Sequence, residues 1–563
     1  MQSLYNQIFF EENLHFVGLN KEKHFVYIQS EENNLSLISM HEDDLITLFE
    51  FGELDGAIHY LFNSNLIAYI YIYMNELIMQ TITLEGEATK FLKVPLTKFQ
   101  EPILANVVED KSRNSIFLLI EDLQEKYWFE VDLSRKFCLK SSLEFQEMEV
   151  LNSEQQALIY RVSQFPENDL FFWYSIAHKK KVEIEGNYIC SNALFICTVV
   201  EAEEGAIVNI YRWDSLQLFK TFPFSDYILD ARFLSSSHLA LIQNCNGIQK
   251  LLLLNLNNNL INSVPNIKGR LDISNIQKSN ICLHKCSILE GSEWIVCNLE
   301  GIIARKQGIE RFIFMNESYT HGNFLVHRPK GLPKRAFISL HGGPESCEYD
   351  ELRYWGLYRE LLRDDVLVLV LNYQGSANFG FKYRSSPWNN WLDTFSKELE
   401  HALEYLKITY GLCENLISIF GVSFGGALAL ASPVINSKIN SVIAVAPLVS
   451  LEKHVAKLES SYPEMVSWFK ARFYNKENRY FFSEKFHLKN KTVPVTIIQG
   501  DHDEILSFQN TTLLVNEARE LGMNWSLVIE KGVLHYPVEV EQCRTRLQNI
   551  KEAFLAYLDT SVN

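Results

Sequence analysis

The chain has 563 residues, of which 47% are hydrophobic and 21% charged, and this composition excludes a mainly disordered protein. Its 52 Lys and Arg against 69 Asp and Glu leave a formal charge of −17, which disfavours binding to nucleic acid or to anionic membrane surfaces. At roughly 150 residues per domain, the length predicts three to four domain equivalents, or fewer large units.

The N-terminal stretch and the cysteines favour a cytoplasmic protein. The stretch MQSLYNQIFFEENLHF has neither a basic start nor a sustained apolar run, so we expect no secretory signal. The ten cysteines lie mostly in apolar, strand-like segments, which is typical of reduced thiols. The longest apolar runs are far shorter than the ~20 residues that a membrane-spanning helix needs, so no membrane span is expected.

Up to about residue 305, the sequence is a succession of short β-type runs separated by polar clusters. The runs come in seven pairs, such as HFVYIQ with LSLISM and HLALIQ with KLLLLNL, and the pairs begin near residues 24, 66, 115, 158, 194, 238 and 282. Seven units at a spacing of ~40–50 residues predict an N-terminal all-β propeller of seven blades over residues 1–305. A β-sandwich pair or a β-solenoid is the alternative, because no repeat carries a sharp signature.

After residue 305, strand-like and helix-like segments alternate, and the strands are almost continuously apolar. In chain order the predicted strands are AFISLHGG, VLVLVLNY, LISIFGVS, SVIAVAPL, VPVTIIQG and WSLVIEKG. Strands of this kind are typical of a parallel sheet that is buried on both faces. Residues 306–563 are therefore predicted to form one α/β domain.

The most informative motif is G-x-S-x-G at Gly421, Ser423 and Gly425, which lies between the strand ISIFGV and a helix of small residues. This is the nucleophile-elbow pattern, in which a strained turn exposes a serine hydroxyl and the glycines leave room for the backbone. Ser423 is therefore the candidate nucleophile, and a tight structural turn is the alternative.

A serine nucleophile requires a general base and an acid that orients the base, in the chain order serine, acid, histidine for this fold. Asp503 follows the strand VPVTIIQG and His535 follows WSLVIEKG, so both lie where active-site loops collect in open α/β sheets. Asp501 is the alternative acid. His502 is the weaker candidate base, because it shares a short turn with Asp503.

Backbone N–H groups are expected to stabilise the oxyanion of a tetrahedral intermediate. The first strand of the α/β domain ends in His341-Gly342-Gly343, and the glycines let peptide N–H groups approach a ligand without an intervening side chain. The predicted donors are the N–H of Gly343 and that of Phe424, the residue after the candidate nucleophile. A plain glycine turn is the alternative.

Together, HGGP at 341–344, NYQGSANFGFKY at 372–383, GVSFGG, QGDHD and a late histidine resemble the catalytic domain of the prolyl oligopeptidase family of serine peptidases, in particular its acylaminoacyl-peptidase-like branch. The motifs cover about 250 residues, whereas the N-terminal half resembles the family only in its succession of short β-type runs and in its length. The resemblance implies a β-propeller over a C-terminal α/β-hydrolase fold. It also implies Ser423 as nucleophile, Asp503 as orienting acid, His535 as general base, and the amides of Gly343 and Phe424 as oxyanion donors.

The resemblance further implies that short peptides are hydrolysed through an acyl-enzyme, with the propeller restricting substrate size. The aromatic residues between 450 and 488 are predicted either to line a pocket for the residue before the cut or to pack between the domains. Glu203 and Glu204 are a candidate pair for binding a free amino terminus, and a solvated loop is the simpler interpretation.

The sequence departs from the family pattern at Gln374, at Gln499 and around His535, where the family often has Arg, His and E-G-H. These departures leave open a non-catalytic, propeller-based binding protein with a degenerate hydrolase domain. An esterase or acyltransferase with the same triad is a further alternative, because a triad leaves the leaving group unspecified.

No cofactor and no metal are expected from the sequence. The candidate cluster Cys282, His284 and Cys286 has no fourth ligand nearby and lacks a zinc-site spacing. The expected partner is a short peptide substrate, with neither nucleic acid nor membrane, and a homo-oligomer is left open.

Overall fold

The computed structural model describes residues 14–31, 34–41, 44–53, 56–61, 66–74, 76–96, 100, 102–110, 115–122, 125–132, 138–143, 149–154, 157–162, 169–175 and 180–557. Most of the N-terminal stretch for which no secretory signal was predicted, residues 1–13, lies outside the described residues. Two regions of different architecture follow each other along the chain. Antiparallel sheets extend to Gln307, and a mixed sheet flanked by helices begins at Met315.

The N-terminal region, called the β region below, contains five antiparallel sheets of four strands each. The first two sheets consist of β1 (Leu14–Leu19), β2 (Phe25–Glu31), β3 (Asn34–His41) and β4 (Asp44–Glu53), and of β5 (Gly56–Leu61), β6 (Leu66–Tyr73), β7 (Glu76–Thr83) and β8 (Ala88–Pro95). The third and fourth consist of β9 (Pro102–Asp110), β10 (Ser115–Asp122), β11 (Glu125–Asp132) and β12 (Cys138–Leu143), and of β13 (Glu149–Glu154), β14 (Ala157–Val162), β15 (Leu170–Ser175) and β16 (Lys180–Ile184). The fifth consists of β17 (Asn187–Ser191), β18 (Phe195–Glu201), β19 (Ala206–Arg212) and β20 (Leu218–Phe224).

The last sheet of the β region has seven strands, which lie in chain order. They are β21 (Tyr227–Phe233), β22 (His238–Cys245), β23 (Ile248–Asn255), β24 (Leu260–Gln277), β25 (Asn280–Ser287), β26 (Gly291–Asn298) and β27 (Gly301–Gln307). The long strand β24 pairs through residues 260–269 with β23 and through residues 270–277 with β25. One continuous strand therefore belongs to two four-stranded halves.

Each of the seven sequence-predicted pairs of runs forms two neighbouring antiparallel strands. These are β2 with β3, β6 with β7, β10 with β11, β14 with β15, β18 with β19, β22 with β23, and β25 with β26. The strands are apolar without strict alternation because apolar clusters pack between neighbouring sheets.

The first and the last sheets of the β region are in contact. Tyr27 of β2 and Trp294 of β26 share an apolar cluster, and their ring centroids lie 5.0 Å apart. The Gln277 side chain accepts a hydrogen bond from the Leu19 N–H (3.0 Å) and donates one to the Leu19 carbonyl (2.7 Å). Sheets far apart in sequence are thus joined by both packing and hydrogen bonds.

The C-terminal region, called the α/β region below, is built on one eight-stranded sheet. Its strands are β28 (Met315–His321), β29 (Phe324–Pro329), β30 (Arg335–Leu340), β31 (Val366–Leu371), β32 (Ile417–Val422), β33 (Ser441–Val445), β34 (Val495–Gly500) and β35 (Trp525–Glu530). The spatial order is β28-β29-β31-β30-β32-β33-β34-β35. The strands from β31 to β35 in this order run parallel, whereas β28 and β29 pair antiparallel.

The six parallel strands correspond to the six strands predicted from the sequence. The structure adds β28 and β29, which the sequence did not predict, because β28 (MNESYTH) is polar and β29 (FLVHRP) is a short apolar run that ends in proline. The sheet is therefore mixed, and its antiparallel edge lies away from the strands that carry the candidate triad.

Within residues 180–557, ten α-helices surround this sheet. They are α1 (Leu357–Arg363), α2 (Phe381–Ser385), α3 (Trp391–Tyr410), α4 (Phe424–Ile435), α5 (Leu451–Ser461), α6 (Pro463–Phe473), α7 (Lys476–Phe481), α8 (Glu484–His487), α9 (Phe508–Glu520) and α10 (Val540–Leu555). None of the helices in the described part of the chain combines the length and the apolar character needed to cross a membrane.

The segment between β30 and α1 binds the two regions together. The Asp350 N–H donates to the Gly247 carbonyl (2.8 Å), and the Arg270 N–H donates to the Asp350 carbonyl (3.0 Å). The Asp350 carboxylate also accepts a hydrogen bond from the Ile288 N–H (3.0 Å). Because this segment directly follows the His341-Gly342-Gly343 turn, that turn is anchored on the β region as well as on the sheet.

Candidate active site

Ser423 occupies a strained turn between β32 and α4. Its backbone has φ 57° and ψ −115°, a region that residues with a side chain rarely adopt. Its N–H donates to the Val445 carbonyl (2.8 Å), and its carbonyl accepts from the Leu448 N–H (3.1 Å). The neighbouring strand β33 and the loop after it therefore hold the turn in this conformation.

The two glycines of G-x-S-x-G are required by close backbone approaches. A Cβ atom on Gly421 would lie 2.0 Å from the Gly425 carbonyl oxygen. A Cβ atom on Gly425 would lie 2.1 Å from the Leu340 carbonyl oxygen at the end of β30. Both contacts are with backbone atoms that cannot move aside. The turn at Ser423 can therefore pack against the end of β30 only with glycine at positions 421 and 425.

The structure brings His535 and Asp503 together. His535 Nδ1 lies 3.0 Å from Asp503 Oδ1 and 2.9 Å from Asp503 Oδ2, and both side chains are buried. Asp501, the alternative acid, instead accepts a hydrogen bond from the Gly532 N–H (2.7 Å) and lies beside the exposed His502. The carboxylate at His535 is therefore that of Asp503.

Asp503 is held by donors on both oxygens. Oδ1 accepts hydrogen bonds from the N–H groups of Ile505 (3.0 Å) and Leu506 (2.8 Å), and Oδ2 accepts one from Gln499 Nε2 (2.9 Å). Burial raises the pKa of the Asp503 carboxyl, but the hydrogen bond and charge of His535 and these donors outweigh it, so the pKa lies below its ordinary value. The group is thus an ionised carboxylate with a fixed orientation.

The backbone of the loop at His535 is held by hydrogen bonds at both its N–H and its carbonyl group. The His535 N–H donates to Glu504 Oε2 (3.0 Å), and the His535 carbonyl accepts from Arg546 Nη1 (2.9 Å). Arg546 is buried and pairs with the buried Glu530, with 2.7 Å between Nε and Oε2. This pair was not predicted from the sequence, where its one signal is a charged residue at the end of the apolar strand SLVIE.

His535 Nε2 is buried and has no hydrogen-bond partner among the described residues. It follows that Ser423 Oγ and His535 Nε2 are not hydrogen-bonded in this structure. The structure therefore brings the base and the acid into direct contact, and it places the serine on the same sheet, with β33 between the strands that precede Ser423 and Asp503. A long or absent serine–histidine contact is common in hydrolases without substrate.

The predicted oxyanion donors flank Ser423 and are free. Neither the Gly343 N–H nor the Phe424 N–H donates a hydrogen bond to any described residue. The turn of Gly343 lies against the serine, because a Cβ atom on the adjacent Gly342 would be 3.3 Å from Ser423 Cβ. Two unpaired N–H groups thus border the candidate nucleophile.

His341 orients the peptide group of Gly343. His341 Nδ1 lies 2.6 Å from the Gly342 carbonyl oxygen, and this oxygen can only accept, so Nδ1 carries the proton. Burial lowers the pKa of His341 to about 3, which keeps the ring neutral. Because a carbonyl and the following N–H point in opposite directions across a trans peptide, fixing the Gly342 carbonyl also fixes the Gly343 N–H.

A cavity of about 220 Å³ lies between the loops that follow β33 and β34. Leu448, Val449, His454 and Leu506 contribute to its lining. Burial, together with the charges of Lys457 and His535, lowers the pKa of His454 to about 4, so its ring is neutral. The cavity is thus lined by apolar side chains, by an uncharged imidazole and by polar side chains that include Lys453 and Lys457, next to the Asp503–His535 pair.

Most aromatic residues of the segment 450–488 pack in the core and do not line this cavity. Phe473, Phe481 and Phe482 are fully buried, and Phe473 and Phe482 contact the Phe424 ring with centroid distances of 5.6 and 5.0 Å. Of the two interpretations of this segment, packing therefore describes these three rings.

Glu203 and Glu204 lie in a loop that contacts the α/β region. The Lys382 N–H donates to the Glu203 carbonyl (3.1 Å), and Lys382 Nζ lies 3.2 Å from Glu204 Oε1 in an exposed ion pair. The Glu204 carboxylate therefore faces a lysine at the surface, as expected of a solvated loop.

The C-terminal part of the chain is similar to a known protein family. The model of the prolyl oligopeptidase family matches residues 357–563. "Dipeptidyl peptidase family member 1" of Caenorhabditis elegans is 22% identical over 219 residues, which are 38% of this chain and 26% of that protein. The chain thus spans about a quarter of the length of this curated relative.

Solved structures resemble the whole chain. The acylaminoacyl peptidase of Pyrococcus horikoshii has a TM-score of 0.70 at 12% identity, and the match covers 98% of this chain and 97% of that chain. A puromycin-hydrolyzing peptidase of Mycobacterium tuberculosis has a TM-score of 0.68 at 12% identity, over 95% and 93% of the two chains. At this identity the likeness establishes the fold, an N-terminal β region followed by a C-terminal hydrolase domain.

Proposed function

We propose that the chain is a serine peptidase that hydrolyses short peptides, on the premise that residues 357–563 match the model of the prolyl oligopeptidase family. The observation that carries the proposal is the buried Asp503–His535 pair, whose outer nitrogen, Nε2, has no hydrogen-bond partner among the described residues. The strained turn of Ser423 supplies that serine, and two unpaired N–H groups lie beside it.

In the proposed acylation, Ser423 Oγ attacks the scissile carbonyl while His535 Nε2 accepts its proton. Asp503 keeps the other proton on Nδ1 and stabilises the imidazolium that forms. The negative charge that develops on the substrate oxygen is accepted by the N–H groups of Gly343 and Phe424. The hydrogen bond between Ser423 and His535 has to form when the substrate binds.

The second half of the reaction uses the same groups in reverse. His535 donates its proton to the departing amine, which leaves an ester between the acyl group and Ser423 Oγ. Water then attacks this ester while His535 accepts its proton, and the same two N–H groups surround the oxygen. The bond to Ser423 Oγ breaks, His535 returns the proton to Oγ, and the acid is released. The cavity beside Leu448 and Leu506 is the place proposed for the side chain that precedes the cut.

We propose that the β region, residues 1–305, is a seven-bladed propeller and that residues 306–563 form the α/β-hydrolase domain. Five four-stranded sheets and the two halves that share β24 support seven units, and the contact between the first and last sheets supports a ring. The change from antiparallel to mixed sheet after Gln307 supports a boundary near residue 305. A propeller over the hydrolase domain would admit short peptides and exclude folded proteins.

We also propose a cytoplasmic location and leave a homo-oligomer open. The nine cysteines between residues 190 and 543 of the described chain form no disulfide, which fits a reducing compartment.

The proposal is tested with short peptide anilides and short-chain esters offered to the wild type and to Ser423→Ala. We expect anilide hydrolysis in the wild type and a loss of at least about 1,000-fold in Ser423→Ala. Ser460→Ala, at an exposed position of α5, is the matched control and should keep full activity. Ester turnover without anilide turnover would favour the esterase alternative, and no Ser423-dependent turnover of either kind would contradict the proposal.

A further inference from the structure

Arg472, near the C-terminal end of α6, is a buried guanidinium that is held between two indole rings. Only 9% of the residue is exposed. Its guanidinium carbon lies 4.5 Å from the ring centroid of Trp388 and 4.6 Å from that of Trp468, which belong to different segments of the chain. Contacts with the faces of two aromatic rings leave the edge of the guanidinium as the direction in which it can donate hydrogen bonds.

Most of the hydrogen-bonding capacity of Arg472 is unused. Its Nε donates to Glu345 Oε1 (2.8 Å), and neither Nη1 nor Nη2 has a partner among the described residues. Arg384, which shares Glu345, differs in this respect: its Nε and Nη2 bind Glu201 and its Nη1 binds Glu345. The two terminal nitrogens of Arg472 are not among the fully buried atoms without a partner, so they reach solvent, where a ligand can meet them.

The charges around Arg472 leave it able to attract an anion. Glu201, Arg384, Glu345 and Arg472 form a chain of alternating sign that is neutral as a whole. Arg472 is the last member of this chain of ion pairs. In a protein with a formal charge of −17, an anionic peptide would be repelled unless a local cation received it.

Arg472 is connected on two sides to the residues around Ser423. Its partner Glu345 follows the oxyanion turn so closely that a Cβ atom on Gly343 would lie 3.1 Å from the Glu345 nitrogen. Its chain neighbour Phe473 packs on Phe424, the residue after the serine. Arg472 is therefore linked, through Glu345 and Phe473, to residues that surround the candidate nucleophile.

We propose that the Nη1–Nη2 edge of Arg472 binds a carboxylate of the peptide substrate. A carboxylate matches the two parallel N–H donors of a guanidinium, and an ion pair of this kind is strongest where indole rings shield it from water. The carboxylate is either the free C-terminus of a short peptide or an Asp or Glu side chain. This inference rests on the proposed peptidase function, and it adds the class of substrate.

The test measures binding to the Ser423→Ala protein, which needs no turnover. Two pairs of N-acetylated tripeptides are titrated by calorimetry: one pair differs by a C-terminal carboxylate or carboxamide, and the other, with carboxamide ends, differs by Glu or Gln in the side chain. We expect the acidic member of at least one pair to bind roughly 10- to 100-fold more tightly. The pair that shows the preference identifies the source of the carboxylate.

The preference should depend on Arg472. Adding Arg472→Gln should abolish the preference for the acidic peptide. Arg472→Lys keeps the charge but not the two parallel N–H donors, so it should reduce the preference, and it serves as the second variant if the first does not fold. Arg479→Gln is the matched control, because this arginine also lies over an aromatic ring, at 5.0 Å from Tyr474, and pairs with Glu452. It should leave the preference unchanged.

No preference in either pair, no binding of the acidic members, or a preference that survives Arg472→Gln overturns the inference. A merely structural role of Arg472 would weaken the binding of both members of a pair equally and would also overturn it. Fluorophosphonate labelling of the protein with Ser423 intact separates the two proposals. Labelling without a preference contradicts only the role of Arg472, and a preference without labelling contradicts only the peptidase function.

Discussion

At the scale of single residues, the candidate site depends on side chains that orient other side chains. Gln499 is the clearest case, since it is fully buried and donates from Nε2 to Asp503 Oδ2 (2.9 Å) and to the Leu506 carbonyl (3.1 Å). The sequence marks Gln499 only as a departure from the family pattern. The structure shows that the amide still supplies the carboxylate with a donor.

Replacing Gln499 by Leu removes this donor and leaves Asp503 Oδ2 with the His535 contact alone. We expect kcat/KM for a peptide anilide to fall roughly 10- to 100-fold, the usual worth of a hydrogen bond to a charged group. Gln499→His, which restores a ring N–H at the position, should lose less. A Leu variant as active as the wild type would show that the amide does not help to position Asp503.

A second residue-scale prediction concerns pH. His487, at the end of α8, is fully buried, and neither ring nitrogen has a hydrogen-bond partner in the described part of the chain. Burial lowers its pKa to about 4. The unfolded chain takes up a proton at His487 near its ordinary pKa of about 6.5, whereas the folded chain does not until about pH 4. The contribution of His487 to stability is therefore present above pH 6.5 and is lost as the pH falls below it.

His487→Leu should cancel this dependence. Relative to the wild type, the variant should gain about 1–2 kcal/mol in the free energy of unfolding between pH 7 and pH 5. Urea unfolding of both proteins at pH 7, 6 and 5 measures the difference. A difference that stays constant over this range would mean that His487 keeps its ordinary pKa in the folded chain.

At the scale of elements, the turn between β32 and α4 is fixed by sterics. Gly425→Ala places a Cβ atom 2.1 Å from the Leu340 carbonyl oxygen, so we expect a loss of more than about 3 kcal/mol in stability or a failure to fold. Gly522→Ala is the control, because its Cβ atom meets nothing within 4 Å and only the positive φ of 75° opposes it. It should cost about 1–2 kcal/mol. Equal thermal midpoints for the two variants would contradict the steric explanation.

The sequence predicts elements well where the pattern is local. The six parallel strands and the seven pairs of β runs are apolar enough to be recognised, and G-x-S-x-G identifies its turn. β28 is polar, so its apolar content does not identify it as a strand. The helices α5 to α8 are recognisable in the sequence only as a segment rich in aromatic residues. Ion pairs between distant elements cannot be predicted from a local pattern. Examples are the pair of Arg546 with Glu530 and that of Arg472 with Glu345.

At the scale of the whole molecule, the two regions are joined by polar contacts of unequal burial. Arg384 binds Glu201 of the β region with side chains only 12% and 20% exposed, whereas Lys382 and Glu204 are 68% and 79% exposed. Removing one partner of a buried ion pair costs the protein much more stability than removing one partner of an exposed pair. The first contact should therefore contribute to the association of the regions, and the second should not.

We expect Glu201→Gln to lower the thermal midpoint by the equivalent of about 1–2 kcal/mol, and Glu204→Gln to change it by less than about 0.5 kcal/mol. Differential scanning calorimetry of both variants beside the wild type makes the comparison. If Glu204→Gln proved the more damaging, the exposed loop would have a role beyond surface contact, and its binding of an amino terminus would have to be reconsidered.

The central claim is that Ser423 is a nucleophile activated by His535 and Asp503. The most direct measurement is labelling of the folded protein with a fluorophosphonate, followed by peptide mapping. We predict one adduct, on Ser423, in the wild type and none in Ser423→Ala. A folded wild type that takes up no label, or a label that persists in Ser423→Ala, would contradict the claim.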